Sequence, residues 1–357
     1  MFRRLAASSV LLLAVVAAPA ARQNPPGRVL AVPPFDAYLE ALRFQAAIPG
    51  LSAVLIQDGE VVWERGFGFQ NLEARIRATP DTPYLVGDLS QTIAAALLLQ
   101  CVEWRQLDLD TPVRQYGVFA PDPLVTMRHL LSHTASGIPL GAFRYDPERY
   151  AQLTEVMTAC APQPYRKSVS HRILEHLAML DSVPGRDLQN PFAVPEGLYD
   201  PAHLERYRRV LERLAIPYRV DRRGRAARTE LPVEGINAAT GLVTTARDLA
   251  KFDIALDSTL LLEETRTMAW TNGGAGGFTA QHTGLGWFVQ NYRGERVVWH
   301  FGLIPNAYSS LVLKLPSRRL TVIMLANSDG LNAAFQLHNG DVTRSLFANL
   351  FLRLFVS

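Results

Sequence analysis

Leu51-Ser-Ala-Val-Leu-Ile-Gln57, Asp58-Gly59, Glu60-Val-Val-Trp-Glu-Arg-Gly-Phe-Gly68 is the stretch that decides the fold class. Two β-rich runs flank an Asp-Gly pair, the residues that a tight hairpin turn with positive φ prefers. Four more strand-like runs lie near the other end of the chain: Leu285 to Tyr292, Arg296 to Phe301, Ser309 to Leu315 and Leu320 to Ala326. Between these ends the spacing is helical. Thr92 to Trp104 is Ala/Leu-rich and reads as a buried helix, and Met127 to Ser132, Tyr150 to Ala159 and Tyr165 to Leu180 carry helical spacing. Asp187 to Pro201 reads as loop and Leu204 to Leu214 as a charged amphipathic helix. Thr245 to Leu256 opens with a capping Thr and Asp248 in its first turn. Asn272 to Gly277 reads as a flexible turn. Strands, helices, strands and a last helix predict an α+β fold. One antiparallel sheet is built from both chain ends and flanked by N- and C-terminal helices, with an all-helical sub-domain inserted. The boundaries read as 28–87 plus 272–357 for the sheet part and 88–271 for the helical part.

The 357 residues are 48% apolar, enough for a large core. Lys plus Arg number 36 against 33 Asp plus Glu. The only charge block is Arg222-Arg223-Gly224-Arg225 with Arg228, too small a footprint for nucleic acid. Met1-Phe-Arg-Arg4, an apolar run from Leu5 to Ala18 and Ala18-Pro-Ala20 read as a signal peptide over 1–20. The expected location is therefore periplasmic or secreted, with no integral membrane domain once the leader is removed. Leu346 to Val356 reads as an amphipathic helix packed on the sheet. Cys101 and Cys160 each sit in an apolar helical stretch, and two buried thiols or one bridge fit equally.

Further segments carry a resemblance. Tyr84-Leu-Val-Gly87 leads into the buried helix, and Leu107-Asp-Leu-Asp-Thr-Pro-Val113 follows it. Next come His129-Leu-Leu-Ser-His-Thr-Ala-Ser-Gly-Ile-Pro139, Ile173-Leu-Glu-His-Leu-Ala-Met179 and Thr240-Gly-Leu-Val-Thr-Thr-Ala-Arg-Asp-Leu-Ala-Lys-Phe252. Val298-Trp-His300-Phe-Gly302 and Leu325-Ala-Asn327 close the series. In this order, over about 35–352, they resemble the serine β-lactamase and penicillin-binding protein superfamily, nearest its class C and esterase-like branch. The resemblance implies one domain of that fold and a Ser-x-x-Lys pair at the start of the buried helix. It also implies a Tyr-x-Asn loop and a Lys/His-x-Gly strand, and no cofactor.

Here the first motif reads Asp88-Leu89-Ser90-Gln91, the second Tyr145-Asp146-Pro147, and the third His300-Phe301-Gly302 is intact. The three lysines, Lys167, Lys251 and Lys314, follow Pro164, Asp248 and Leu311 at three residues, so Ser-x-x-Lys occurs nowhere. Neither does Tyr-x-Asn. The family positions are thus Asp88, Gln91, Tyr145 and His300, none of them a confirmed catalyst. The expected ligand-binding set is Asp88, Tyr145, His300 and Gly302.

Asp-x-x-Gln at a helix start resembles a capping box, which predicts that Asp88 stabilises the helix by about 1 kcal/mol. An anionic Asp88 would repel carboxylate ligands. His300 either pairs with Asp88 and gains a proton, or serves as a structural strand histidine. His129 and His133 lack a third ligand or a Glu base, so they read as helix packing and capping rather than zinc. The leading expectation is a catalytically silent binding or regulatory module for cell-envelope peptide or a protein partner. An active esterase, amidase or peptidase with a rearranged site is the alternative.

Overall fold

The computed structural model describes residues 31–190, 192, 194–271 and 282–356. The expected leader and the Asn272 to Gly277 turn lie outside them. In chain order the elements are α1 (Val32–Gln45), β1 (Gly50–Gln57), β2 (Glu60–Asn71), β3 (Ile76–Arg77), β4 (Tyr84–Leu85) and α2 (Ser90–Glu103). There follow α3 (Met127–Leu131), α4 (Pro147–Ala151), α5 (Leu153–Cys160), α6 (Tyr165–Val169), β5 (Val183–Pro184) and α7 (Pro201–Glu212). The chain continues with β6 (Tyr218–Val220), β7 (Ala226–Arg228), β8 (Leu242–Thr244), α8 (Ala246–Ser258) and α9 (Glu263–Ala269). It closes with β9 (Phe288–Tyr292), β10 (Glu295–Ile304), β11 (Tyr308–Leu315), β12 (Leu320–Ala326) and α10 (Leu346–Phe355).

The main sheet has the order β3-β2-β1-β12-β11-β10-β9 and is antiparallel throughout, so both chain ends build it as expected. Asp58 and Gly59 turn β1 into β2 with φ of 54° and 83°. The region between β4 and α9 is mainly helical. It also carries a three-stranded sheet, β4-β8-β5, and the β6–β7 hairpin, which the helical spacing did not signal. The single helix expected over 165–180 stops at Val169 and passes into a wider π turn, Ser170–Glu175.

Alternation explains the layers. Strand side chains point to opposite faces in turn. Leu51, Ala53 and Leu55 join a core with Phe35 and Leu39 of α1 and Phe347 and Phe351 of α10, whereas Val54 and Ile56 join the core shared with α2 and α8. On β10, Val297, Trp299 and Phe301 face α1 and α10. His300 therefore points to the helical side. Cys101 of α2 and Cys160 of α5 are bridged, 59 residues apart in sequence, which resolves the open alternative.

Candidate functional site

Asp88 lies in a single 3-10 turn, Gly87–Leu89, that feeds α2. Two backbones meet there. A Cβ on Gly302 would sit 1.9 Å from the Val86 carbonyl oxygen, so only glycine lets β10 press against the turn. Ser310 Oγ donates to that same carbonyl at 2.8 Å, and Asn332 Nδ2 holds the Gly302 carbonyl at 2.9 Å. Gly302 is buried at this contact.

The expected cap is not what forms. Leu89 is the N-cap of α2 and makes no side-chain capping bond. The Asp88 carboxyl instead accepts hydrogen bonds from the Tyr145 hydroxyl and the Leu303 backbone N–H. Asp88 keeps a partly exposed surface. Its carboxyl is nevertheless packed closely enough that burial raises its pKa from 3.8 to about 7, against the pull of those two bonds. Near neutrality it is thus only partly anionic, which weakens the expected repulsion of carboxylates. Burial and the neighbouring Asp88 hold the Tyr145 phenol well above its ordinary range.

Gln91 lies one turn on, where the resemblance expects the lysine. Its Nε2 donates to Tyr145 Oη at 3.3 Å, and its Oε1 takes the His133 Nε2–H at 2.9 Å. The backbone N–H of Asp146 donates to His133 Nδ1 at 3.1 Å, which fixes the Nε2–H tautomer. His300 donates through Nδ1 to the Phe301 carbonyl at 2.8 Å, while its Nε2 lies 3.3 Å from Gln91 Oε1. Serving both acceptors needs an imidazolium. Burial lowers the His300 pKa to about 4, so at neutral pH it donates only to Phe301. His133 is lowered to about 3, by burial and then by His300. Of the two alternatives for His300, pairing with Asp88 does not form, and the buried strand histidine is what the contacts give. His300 meets Gln91, neutral, because burial without a carboxylate partner disfavours its charge.

The structure thus gathers Asp88, Gln91, Tyr145 and His300 into one network, with Gly302 as the backbone contact behind it. It adds His133, which sequence reasoning placed with helix packing. His133 follows the end of α3 with φ of 54°, and this left-handed turn sends its ring onto Tyr145, centroids 4.4 Å apart. His129 does cap: its Nδ1 meets both the backbone N–H and hydroxyl of Thr126. Ser90 Oγ faces away from the network, donating to the Gly87 carbonyl and accepting from Leu242 N–H. Phe288 and Phe301 pack around Tyr145. Five cavities among the described residues have linings that include none of Asp88, Gln91, Tyr145 or His300.

A nucleophile could also be assembled from residues distant in sequence. Lys314 Nζ does lie 3.2 Å from Thr321 Oγ1. That amine is buried between Asp253 and Asp257 and held protonated, its pKa raised by both carboxylates despite burial. An ammonium has no lone pair with which to take a proton. Lys251 is bound to Asp248 and the Ala178 carbonyl, and Lys167 lies over the Tyr199 ring. Among the described residues no cluster of His, Cys, Asp and Glu could hold a metal ion.

The family model described as Beta-lactamase matches residues 35–344. The chain belongs to the beta-lactamase family. It is 22% identical over 323 residues to PbpX of Bacillus subtilis (strain 168), whose name groups it with the penicillin-binding proteins; the match covers 81% of this chain and 72% of that protein. Its fold is similar to the octameric penicillin-binding protein homologue from Pyrococcus abyssi. That likeness has a TM-score of 0.70 and 22% identity, covering 90% of this chain and 77% of the other. A class C beta lactamase from Rhodobacter sphaeroides gives a TM-score of 0.67 and 17% identity, covering 90% and 99%. The antiparallel sheet flanked by helices is the fold these neighbours share.

Proposed function

We propose that this chain is an exported, catalytically silent member of its family that works as a binding or regulatory module. Cell-envelope peptide or a protein partner is the proposed ligand class, and Asp88 and Tyr145, which keep partly exposed surface, are the proposed ligand-facing pair; His300 and Gly302, expected in the same set, are buried behind them. One observation carries the reading. Where the family pattern has a hydroxyl one turn before an amine, this chain has a carboxyl bonded to Tyr145 and Leu303, and an amide already bonded to Tyr145 and His133. Covalent catalysis needs a nucleophile and a base that activates it. Removing them costs many orders of magnitude in rate. Export is supported by the leader pattern and by the Cys101–Cys160 bridge, since disulfides persist in oxidising spaces. Among the described residues no helix is long and apolar enough to cross a membrane.

The test is covalent labelling with a fluorescent penicillin and a fluorophosphonate. No adduct is expected on the native chain or on Asp88→Ser alone. Labelling of any native serine would overturn the reading. The double substitution Asp88→Ser with Gln91→Lys is expected to gain an adduct. A second reading is an active esterase, amidase or peptidase with a rearranged site. It rests on Asp88, whose pKa of about 7 suits proton transfer at neutral pH. Ester hydrolysis abolished by Asp88→Asn would favour it.

A further inference from the structure

The arginine run at 222–225 has no place in the reading above. It forms the turn of the β6–β7 hairpin, where Gly224 adopts φ of +73°. Asp221 Oδ1 accepts the N–H groups of Arg223 and Arg225, and Asp221 also pairs with the Arg225 guanidinium. The turn is therefore held by its one acid. Arg222 and Arg223 stand exposed, and neither has an acidic partner among the described residues.

They face a groove of about 830 Å³ against the C-terminal end of α1, which Arg43 and Arg77 also line. Glu40 is the one acid of that lining, and Arg43 binds it with two hydrogen bonds. Among the described residues Arg77 has no acidic partner; its guanidinium lies over the Phe69 ring, 4.6 Å from the centroid. Three arginines around one groove are thus without a counter-charge among the described residues. Its lining also carries apolar side chains, among them Leu72 and Phe44, the latter 78% exposed.

We infer that this groove docks on the anionic phosphate headgroups of a phospholipid membrane. Guanidinium forks bind phosphate oxygens in pairs. A basic surface carrying an exposed phenyl ring is the pattern of interfacial attachment: the charges stay with the headgroups while the ring enters the acyl boundary. An acidic polymer would satisfy the arginines and leave Phe44 in water. The attachment is peripheral, and it lies outside the Asp88 network.

Vesicles of phosphatidylcholine, with and without phosphatidylglycerol, test this by co-sedimentation of the full chain. The readout is the change in the partition ratio between the two on substitution, because a leader carrying Arg3 and Arg4 would add the same anionic preference to every variant. A clear preference for phosphatidylglycerol, lost in high salt, is expected. Arg222→Gln with Arg223→Gln should lower the ratio about twenty-five-fold, about fivefold for each arginine. Phe44→Ala should weaken binding to the anionic vesicles while leaving the salt dependence in place. Arg144→Gln with Arg149→Gln removes the same charge elsewhere and should change nothing. Equal partition into both vesicles would overturn the proposal. So would an equal loss in the Arg144/Arg149 control, or equally tight binding to soluble polyglutamate.

Discussion

Replacing Asp88 by Asn tests the reading of the site through stability. In the folded chain the Asp88 pKa is raised from 3.8 to about 7. A carboxyl raised on folding binds its proton more tightly in the native state, so its effect on stability is a cost that grows as pH rises. The cost is small below about pH 4, grows through the window from 3.8 to about 7, and is complete above it. At 1.36 kcal/mol per pH unit the full value is about 4 kcal/mol, of which about 2 to 3 kcal/mol accrues between pH 5 and pH 8. Asn keeps the shape and the acceptor oxygen for Tyr145 and has no charge to bury. Urea denaturation of the native chain and of Asp88→Asn should therefore agree most closely at pH 5. By pH 8 they should diverge, the variant gaining about 2 kcal/mol once partial solvent access to the carboxyl is allowed for. This reverses the sign that the capping reading gave for Asp88. A stability difference that is flat between pH 5 and pH 8, or a variant weaker at pH 8, would refute the argument.

Three more outcomes follow from buried contacts. Reducing the Cys101–Cys160 bridge, or replacing both cysteines with Ser, should cost about 4 kcal/mol, because the bridge closes a loop of 59 residues; thermal melting with and without reductant reads it. Lys314→Met should cost about 3–5 kcal/mol in chemical denaturation, since it strands Asp253 in the core, and adding Asp253→Leu should recover much of the loss. Gly302→Ala should leave little folded protein at ambient temperature, because the new methyl meets the Val86 backbone at 1.9 Å where neither strand nor turn can yield; soluble yield and circular dichroism decide it.

The fold was legible wherever a local rule and a long-range contact agreed. Asp58-Gly59 took the positive φ angles its residue types favour, and the alternation of Trp299, His300 and Phe301 placed the histidine toward the helices. The helix at Thr245 began where its hydroxyl could cap Asp248 N–H. The site was legible as a set of positions and less so as a set of bonds. Asp88 met the local pattern of a cap, but β10 supplied a backbone donor at Leu303 and the 145 loop supplied a phenol. Backbone donors leave no mark in sequence. His133 was obscured because i, i+4 spacing assumes a continuous helix, and α3 ends at Leu131. The Cys101–Cys160 pairing depended on how α2 and α5 pack, which apolar spacing leaves open.

The proposed catalytic silence has a physical counterpart at the lysine position. A buried amine beside a hydroxyl serves as a base only while desolvation keeps it neutral. The amine this chain does bury, Lys314, sits between two carboxylates and stays charged, so it binds α8 to the sheet. At position 91 stands an amide, and both neighbouring histidines are neutral, so the charge around it comes from whatever fraction of Asp88 is ionised and from the half-buried Asp146 carboxylate beside His133. Placing lysine at 91 with Asp88 still present would form a second buried ion pair, protonated and inert. Only when serine also replaces Asp88 does the amine lack a counter-ion, and burial then works to release its proton. On the proposed reading, reactivity and buried charge are coupled at these two positions: neither Asp88→Ser nor Gln91→Lys alone is expected to give an adduct, because only the double substitution places an amine there without a counter-ion.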